Sequence, residues 1–160
     1  DGAFVVAADL SLARAGLIRA NVARLDASVA VVCADGTRPA FRGGSFDRVL
    51  LDAPCSGLGA LRRRPDSRWR ITPDAIDELA GLQRRLLAAT APLVRPGGAL
   101  VYSVCTLTAA ESIDPPVPDG FDVVTDPPEG AWRAYGHGWR VLPHDADTDG
   151  MVVIRYRRHA

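Results

Sequence analysis

The chain has 160 residues, 48% of them hydrophobic, and its 19 Lys and Arg balance its 19 Asp and Glu. That length suits one ordinary core, so a single domain over residues 1–160 is expected, and the zero net charge excludes a global basic field, leaving only local patches for contact with nucleic acid. Three cysteines without a close pair exclude a disulfide scaffold and point to a reducing compartment, the cytoplasm, while no apolar run approaches the roughly 20 residues of a membrane span and no signal-peptide pattern opens the chain.

Residues 4–8 read as a strand closed by Asp9, and Ser11 is placed to cap a helix carrying Leu12, Leu17, Val22 and Leu25. Residues 29–33 form the next strand, closed by Asp35-Gly36. A Pro/Gly loop follows, then a third strand over 46–51 that ends at Asp52. Pro73 and Asp74 open a long amphipathic helix through Leu79, Leu82, Leu86, Leu87 and Leu93, stopped by Pro96-Gly97-Gly98, and residues 99–104 are a fourth strand. This alternation predicts βαβ units, an α/β fold and a mostly parallel sheet. Residues 114–149 are rich in Pro, Gly and Asp and read as loop-dominated, with weak strands at 121–125 and 139–142, before a clear last strand at 151–156.

Asp9, Asp35 and Asp52 each end one of the first three strands. In a doubly wound sheet such ends share one edge, where carboxylates can meet the hydroxyls and amino groups of a nucleoside-like ligand. Asp also ends strands simply because it favours turns and caps. All three at corresponding positions weigh toward the ligand. Cys55, in the turn Asp52-Ala53-Pro54-Cys55-Ser56-Gly57, and Cys105, at the end of the strand containing Tyr102, lie where a thiol can face a crevice. Cys33, inside a strand, is expected to be a small core residue. There is no Cys-x-x-Cys pair, and His137, His144 and His159 form no ligand cluster, so no metal site is expected. After the Cys55 turn come Arg62, Arg63, Arg64, Arg68, Trp69 and Arg70, a local basic patch suited to phosphate contact and base stacking. The alternative is a solvated loop whose arginines pair with Asp66 and Asp74. The neighbouring motif favours RNA.

Taken together, these residues resemble the catalytic domain of the Sun (Fmu, RsmB/Nop) family of RNA cytosine-5 methyltransferases. The resemblance rests on Val5-Val6-Ala7-Ala8-Asp9 with Arg14 and Asn21, Ala34-Asp35-Gly36-Thr37, and the Asp52 to Gly57 motif. It continues in Arg64-Pro65-Asp66 with Trp69, the run Pro96-Gly97-Gly98 through Tyr102-Ser103-Val104-Cys105, Leu142-Pro143-His144, and Thr148-Asp149-Gly150-Met151. It implies a Rossmann-like class I methyltransferase sheet, mostly parallel with an antiparallel C-terminal strand, that binds S-adenosylmethionine. It also implies that Cys105 attacks carbon 6 of a cytosine in RNA, ribosomal RNA by family membership. Cys55 corresponds to the cysteine that assists breakdown of the covalent adduct, and Asp52 to the carboxylate beside methyl donor and base. Asp9 and Asp35 correspond to cofactor positions for ribose and adenine. The target base must leave its stack to reach Cys105.

Three departures matter. The family's first strand and its Pro-Gly-Gly-Lys loop have no counterpart, so residues 1–160 read as the C-terminal part of a catalytic domain truncated at its N-terminus. Unpaired strand edges, and weak or no binding of S-adenosylmethionine by this chain, are the expectation. Val104 stands where the family commonly has Thr, and Ser112-Ile113-Asp114-Pro115 interrupts an otherwise acidic helix. A class I methyltransferase for a non-RNA substrate would share the carboxylates but not need the two thiols. A catalytically idle RNA-binding fragment would keep the arginines and depend on neither thiol.

Overall fold

The β-branched and alanine-rich runs near the start of the chain extend as β1 (Val5–Asp9) and β2 (Val29–Cys33) in the computed structural model, which describes residues 2–160. They pair in parallel, from Val5 opposite Val29 to Asp9 opposite Cys33. A parallel pair needs a crossover, supplied by α1 (Leu12–Arg24). Ser11 caps that helix, its Oγ accepting from the Arg14 amide, while its own amide donates to Asp9 at 2.7 Å. Ala15 is the buried residue of α1, and Leu12, Leu17 and Leu25 are exposed. These elements belong to a unit that ends at Phe41. Cys33 is not the core residue expected from its place in a strand. As the last residue of β2 it is exposed, with its thiol donating to the carbonyl of Leu10 at 3.4 Å.

The second unit, Arg42–Ala160, is built on β3 (Phe46–Asp52) and β4 (Val94–Val104), again parallel, with α2 (Pro73–Thr90) as the crossover. Thr72 caps α2 by accepting from the Ala75 amide, and Pro73 fills the first turn, where no amide is needed. After β4 the chain forms α3 (Ala109–Ser112), β5 (Phe121–Val123), β6 (Arg133–Tyr135), β7 (Gly138–Val141), α4 (Pro143–Ala146) and β8 (Met151–Arg158). Strand β8 lies antiparallel to β4 along one edge. Its other edge is shared, with β7 at its start and β5 at its end. The sheet runs β3-β4-β8-β7-β6. The expected α/β class and antiparallel C-terminal strand are therefore present: β1 to β4 pair in parallel, and everything downstream pairs antiparallel. Among the described residues β1 pairs with β2 alone and β3 with β4 alone.

Alternation along β4 and β8 makes the core. Leu100, Tyr102 and Val104 on one strand and Val152, Ile154 and Tyr156 on the other have no exposed surface, and Leu86 and Leu87 of α2 join the same cluster. Each buried leucine contributes about 1.5–3 kcal/mol. The long helix does not reach Leu93, as its leucine spacing suggests. Pro92 has no amide to extend the ladder, so α2 ends at Thr90, a single 3-10 turn covers Ala91–Leu93, and β4 already begins at Val94. Pro96-Gly97-Gly98 lies inside that strand, where Gly97 takes φ 71° and the pairing with β3 shifts register between Phe46 and Arg48. Strand β6, in the Pro/Gly/Asp-rich segment, had no apolar alternation to announce it.

Candidate active site

Strands β3 and β4 end side by side, Asp52 opposite Ser103, and the Ala53 amide extends the pairing by donating to the Ser103 carbonyl at 2.9 Å. Asp52 itself is exposed. Beyond these ends both chains turn, the first through Gly57 at φ 70°, and the turns bring the sulfurs of Cys55 and Cys105 to 3.4 Å across 50 residues of sequence. Both cysteines are free and only partly exposed. Burial, with the neighbouring Cys105 thiol adding to it, pushes the Cys55 thiol up to about 12. Cys55 therefore holds its proton at neutral pH.

The residues that follow the two cysteines meet at a buried carboxylate, Glu111. Glu111 is 1% exposed. Its Oε1 accepts from the Ser56 amide at 2.8 Å and from the Gln83 amide nitrogen at 3.1 Å. Its Oε2 accepts from the hydroxyls of Ser56 at 2.6 Å, Thr108 at 2.6 Å and Thr106 at 3.1 Å. Burial raises the carboxyl's pKa, but the hydrogen bonds from Ser56, Thr108 and Gln83 outweigh it and hold it below its ordinary value. Ser56 and Thr106 hydroxyls also meet each other at 2.7 Å. Gln83 donates to the Pro54 carbonyl at 2.9 Å, and the Tyr102 hydroxyl shares its one proton between the Glu111 carbonyl at 2.8 Å and Gln83 Oε1 at 3.1 Å. Two signals were legible: Thr108-x-x-Glu111 has the spacing of a capping box, and Gln83 is a polar residue at the apolar spacing of α2. Thr108 makes no such cap and bonds the glutamate's carboxylate directly.

A third segment closes on Cys105. The Gly59 amide donates to the Cys105 carbonyl at 3.0 Å, and the Gly150 amide donates to the Gly59 carbonyl at 2.8 Å. Beside this crossing Arg63 pairs with Asp149, Nε to Oδ2 at 2.9 Å.

The rest of the expected basic patch is divided. Arg62 pairs with Asp147, and Arg70 with Asp66 at 2.5 Å, the pairing that a solvated loop would make. Arg68 stacks over Trp69 at 4.4 Å, and that indole is 76% exposed. Arg64 precedes the 3-10 turn Pro65–Trp69 and is exposed. In the other unit, Asp9 accepts from Ser11 and Arg14, which hold its carboxyl below its ordinary value. Asp35 is lowered by the hydroxyl and amide of Thr37, both bonded to Oδ1. Among the described residues no group of three or more His, Cys, Asp or Glu is placed to hold a metal ion, and no helix is long and apolar enough to cross a membrane.

A family model described as 16S rRNA methyltransferase RsmB/F matches residues 1–157. Ribosomal RNA small subunit methyltransferase B of Vibrio cholerae is 38% identical over 155 residues, 92% of this chain and 34% of that protein. A Mycobacterium tuberculosis protein named as a methyltransferase is 47% identical over 163 residues, 96% of this chain and 35% of its own length. The chain thus spans about a third of these curated relatives. Among solved structures, NSun6 from Pyrococcus horikoshii with SFG superposes with a TM-score of 0.80 at 27% identity, over 98% of this chain and 42% of that one. A methyltransferase homolog protein from Pyrococcus horikoshii gives 0.71 at 25% identity, over 97% of this chain and 53% of that one.

Proposed function

Because the chain belongs to the 16S rRNA methyltransferase RsmB/F family, we propose that it carries the reacting groups of an S-adenosylmethionine-dependent enzyme that methylates carbon 5 of a cytosine in RNA, ribosomal RNA by family. The observation that carries this reading is the pair of thiols 3.4 Å apart at the ends of two parallel strands.

Taken separately, each in its own unit, Asp35 and Asp52 keep acceptor positions for the hydroxyl or amino groups of the cofactor. Both hydrogen bonds that Asp35 accepts fall on Oδ1, which leaves Oδ2 for a ribose or adenine donor, and the Asp52 side chain has no hydrogen bond or ion pair among the described residues. Asp9 and Asp35 are the residues we assign to ribose and adenine, and Asp52 is the one assigned to the region of methyl donor and base. S-adenosylmethionine supplies an electrophilic methyl group.

The protein's part is to make a ring carbon nucleophilic. The thiolate of Cys105 forms a bond to carbon 6 of the cytosine, and the displaced electron pair gives carbon 5 the character of an enamine. After methylation carbon 5 loses its proton, the bond between carbon 6 and sulfur breaks, and Cys105 leaves as thiolate. Cys55, protonated at rest, does not compete for the ring. The proton from carbon 5 passes to water as the carbon–sulfur bond breaks, and the Cys55 thiol, 3.4 Å from the departing sulfur, can hydrogen-bond it as it leaves as thiolate, which suits Cys55 to assist this last step. Arg64, Arg68 and the exposed face of Trp69 are the groups most available to RNA. Arg62 and Arg70 join them by exchanging exposed ion pairs worth about 0–1 kcal/mol each for phosphate, and Arg63 by giving up its pair with the largely buried Asp149. Free thiols of this kind suit a reducing cytoplasm.

The test is product identity. Ribosomal RNA incubated with labelled S-adenosylmethionine and a protein of the relatives' full length containing this chain is digested to nucleosides and separated by mass spectrometry. Label in 5-methylcytidine is expected. Label in any other nucleoside overturns the reading.

A further inference from the structure

The two reacting sulfurs sit on separate turns, and neither turn is regular structure. A 3.4 Å separation therefore needs something that ties one turn to the other. The residue after Cys55 is Ser56, and the residue after Cys105 is Thr106. The side chains of both end on the same carboxylate oxygen, Oε2 of Glu111, and on each other. The Ser56 backbone amide is held by Oε1 of the same carboxylate.

We propose that Glu111 is the positioning residue for both thiols, a buried carboxylate whose hydrogen bonds to Ser56 and Thr106 set the distance between Cys55 and Cys105. The proposal rests on the reading of those cysteines as the reacting pair. The chemistry of the site accounts for the residue type. Every group at hydrogen-bond distance from the Glu111 carboxylate is an N–H or O–H, so the position calls for an acceptor with several lone pairs, which an ionised carboxylate supplies. Gln83 extends the tie to the Cys55 turn by holding the Pro54 carbonyl with the same amide nitrogen that reaches Glu111. Tyr102, within β4, anchors the glutamate's own backbone. The lowered pKa of Glu111 agrees with a carboxylate that is charged at neutral pH.

The experiment measures proximity without RNA or cofactor. The chain is equilibrated with glutathione and glutathione disulfide, and the fraction of Cys55–Cys105 disulfide gives the effective concentration of one thiol at the other. Exposed Cys33, read as its mixed disulfide with glutathione, is the internal reference. Glu111→Ala is expected to lower the effective concentration by about tenfold or more, the scale of one charged hydrogen bond. Glu111→Gln is expected to lower it less, because the amide oxygen keeps Ser56 and Gln83 while the hydroxyls reverse. Cys33 should not change. A folded Glu111→Ala chain with an effective concentration within about twofold of the parent overturns the proposal, since a merely stabilising residue would lower Tm and leave that quantity alone. If Glu111→Ala does not fold, Thr106→Val decides: a several-fold fall supports the tie, and no change overturns it. Failure of methyl transfer with the thiol equilibrium intact would strike the functional reading and not this one.

Discussion

The amide of Gly59 donates to the carbonyl of Cys105 at 3.0 Å, so the turn that follows Cys55 is fastened to the backbone of Cys105 as well as to its neighbour's side chain. A Cβ at position 59 would meet the Gly150 carbonyl oxygen at 2.1 Å and the Cys105 carbonyl oxygen at 2.9 Å, both backbone atoms that cannot rotate away. Gly59→Ala is accordingly expected to cost about 1–3 kcal/mol in denaturant unfolding. It should also speed alkylation of Cys105 in the folded chain. Parent-like values of both would show that the crossing is slack.

Stability should fall on the alkaline side. The Cys55 thiol is raised from 9.0 to about 12 in the folded chain. Above pH 9 the unfolded chain therefore gives up a proton that the folded chain keeps, and the contribution is lost as pH rises to about 12. At 1.36 kcal/mol per unit the loss is at most about 4 kcal/mol. Buried Tyr102 and Tyr156 are pushed upward too and add a decline of the same sign. Cys55→Ala should remove only the thiol's share, making the slope of unfolding free energy against pH shallower between about 9 and 12.

Tyr102 has no exposed surface, and its hydroxyl serves both Gln83 and the Glu111 carbonyl. Tyr102→Phe keeps the ring and removes the one proton that the Glu111 carbonyl and Gln83 Oε1 share, so unfolding should become easier by about 1–3 kcal/mol. Thermal melts of the two chains, compared at one pH, check this. An unchanged Tm would mean that the hydroxyl is not needed to hold Gln83.

RNA binding should depend unequally on the arginines. Arg64 has no ion pair among the described residues, and Arg68 is engaged with the face of Trp69, whereas Arg62, Arg63 and Arg70 are paired with Asp147, Asp149 and Asp66. Arg64→Ala is expected to reduce the slope of log binding constant against log salt by about 0.7, the loss of one phosphate contact on a single strand. Trp69→Ala should weaken binding by about 1–3 kcal/mol with the slope unchanged. Fluorescence titrations across a salt series give both quantities.

Much of this arrangement was legible in the sequence. Short apolar runs marked β1, β2, β3, β8 and the second half of β4, and Ser11 and the Pro73-Asp74 pair marked the helix starts. That Cys55 and Cys105 each lie where a strand gives out was legible, the resemblance paired them, and the parallel pairing of β3 with β4 brings their ends together. What escaped was of two kinds. Leu93 continues the leucine spacing of α2, but the missing amide of Pro92 overrides the spacing, and Cys33 in a short strand is exposed because strand membership does not say which face is covered. Glu111 escaped because a buried carboxylate is defined by its donors, and Ser56, Gln83 and Thr106 come from segments that only the fold assembles.

The central claim is that Cys105 bonds to the base and Cys55 does not. Incubating the relatives'-length protein with RNA that carries 5-azacytidine at the target position blocks loss of the proton at position 5, so a covalent complex should accumulate, and peptide mass spectrometry should place the nucleotide on Cys105. The complex should vanish in Cys105→Ser and persist in Cys55→Ser. A nucleotide found on Cys55, or a complex that survives Cys105→Ser, would contradict the account.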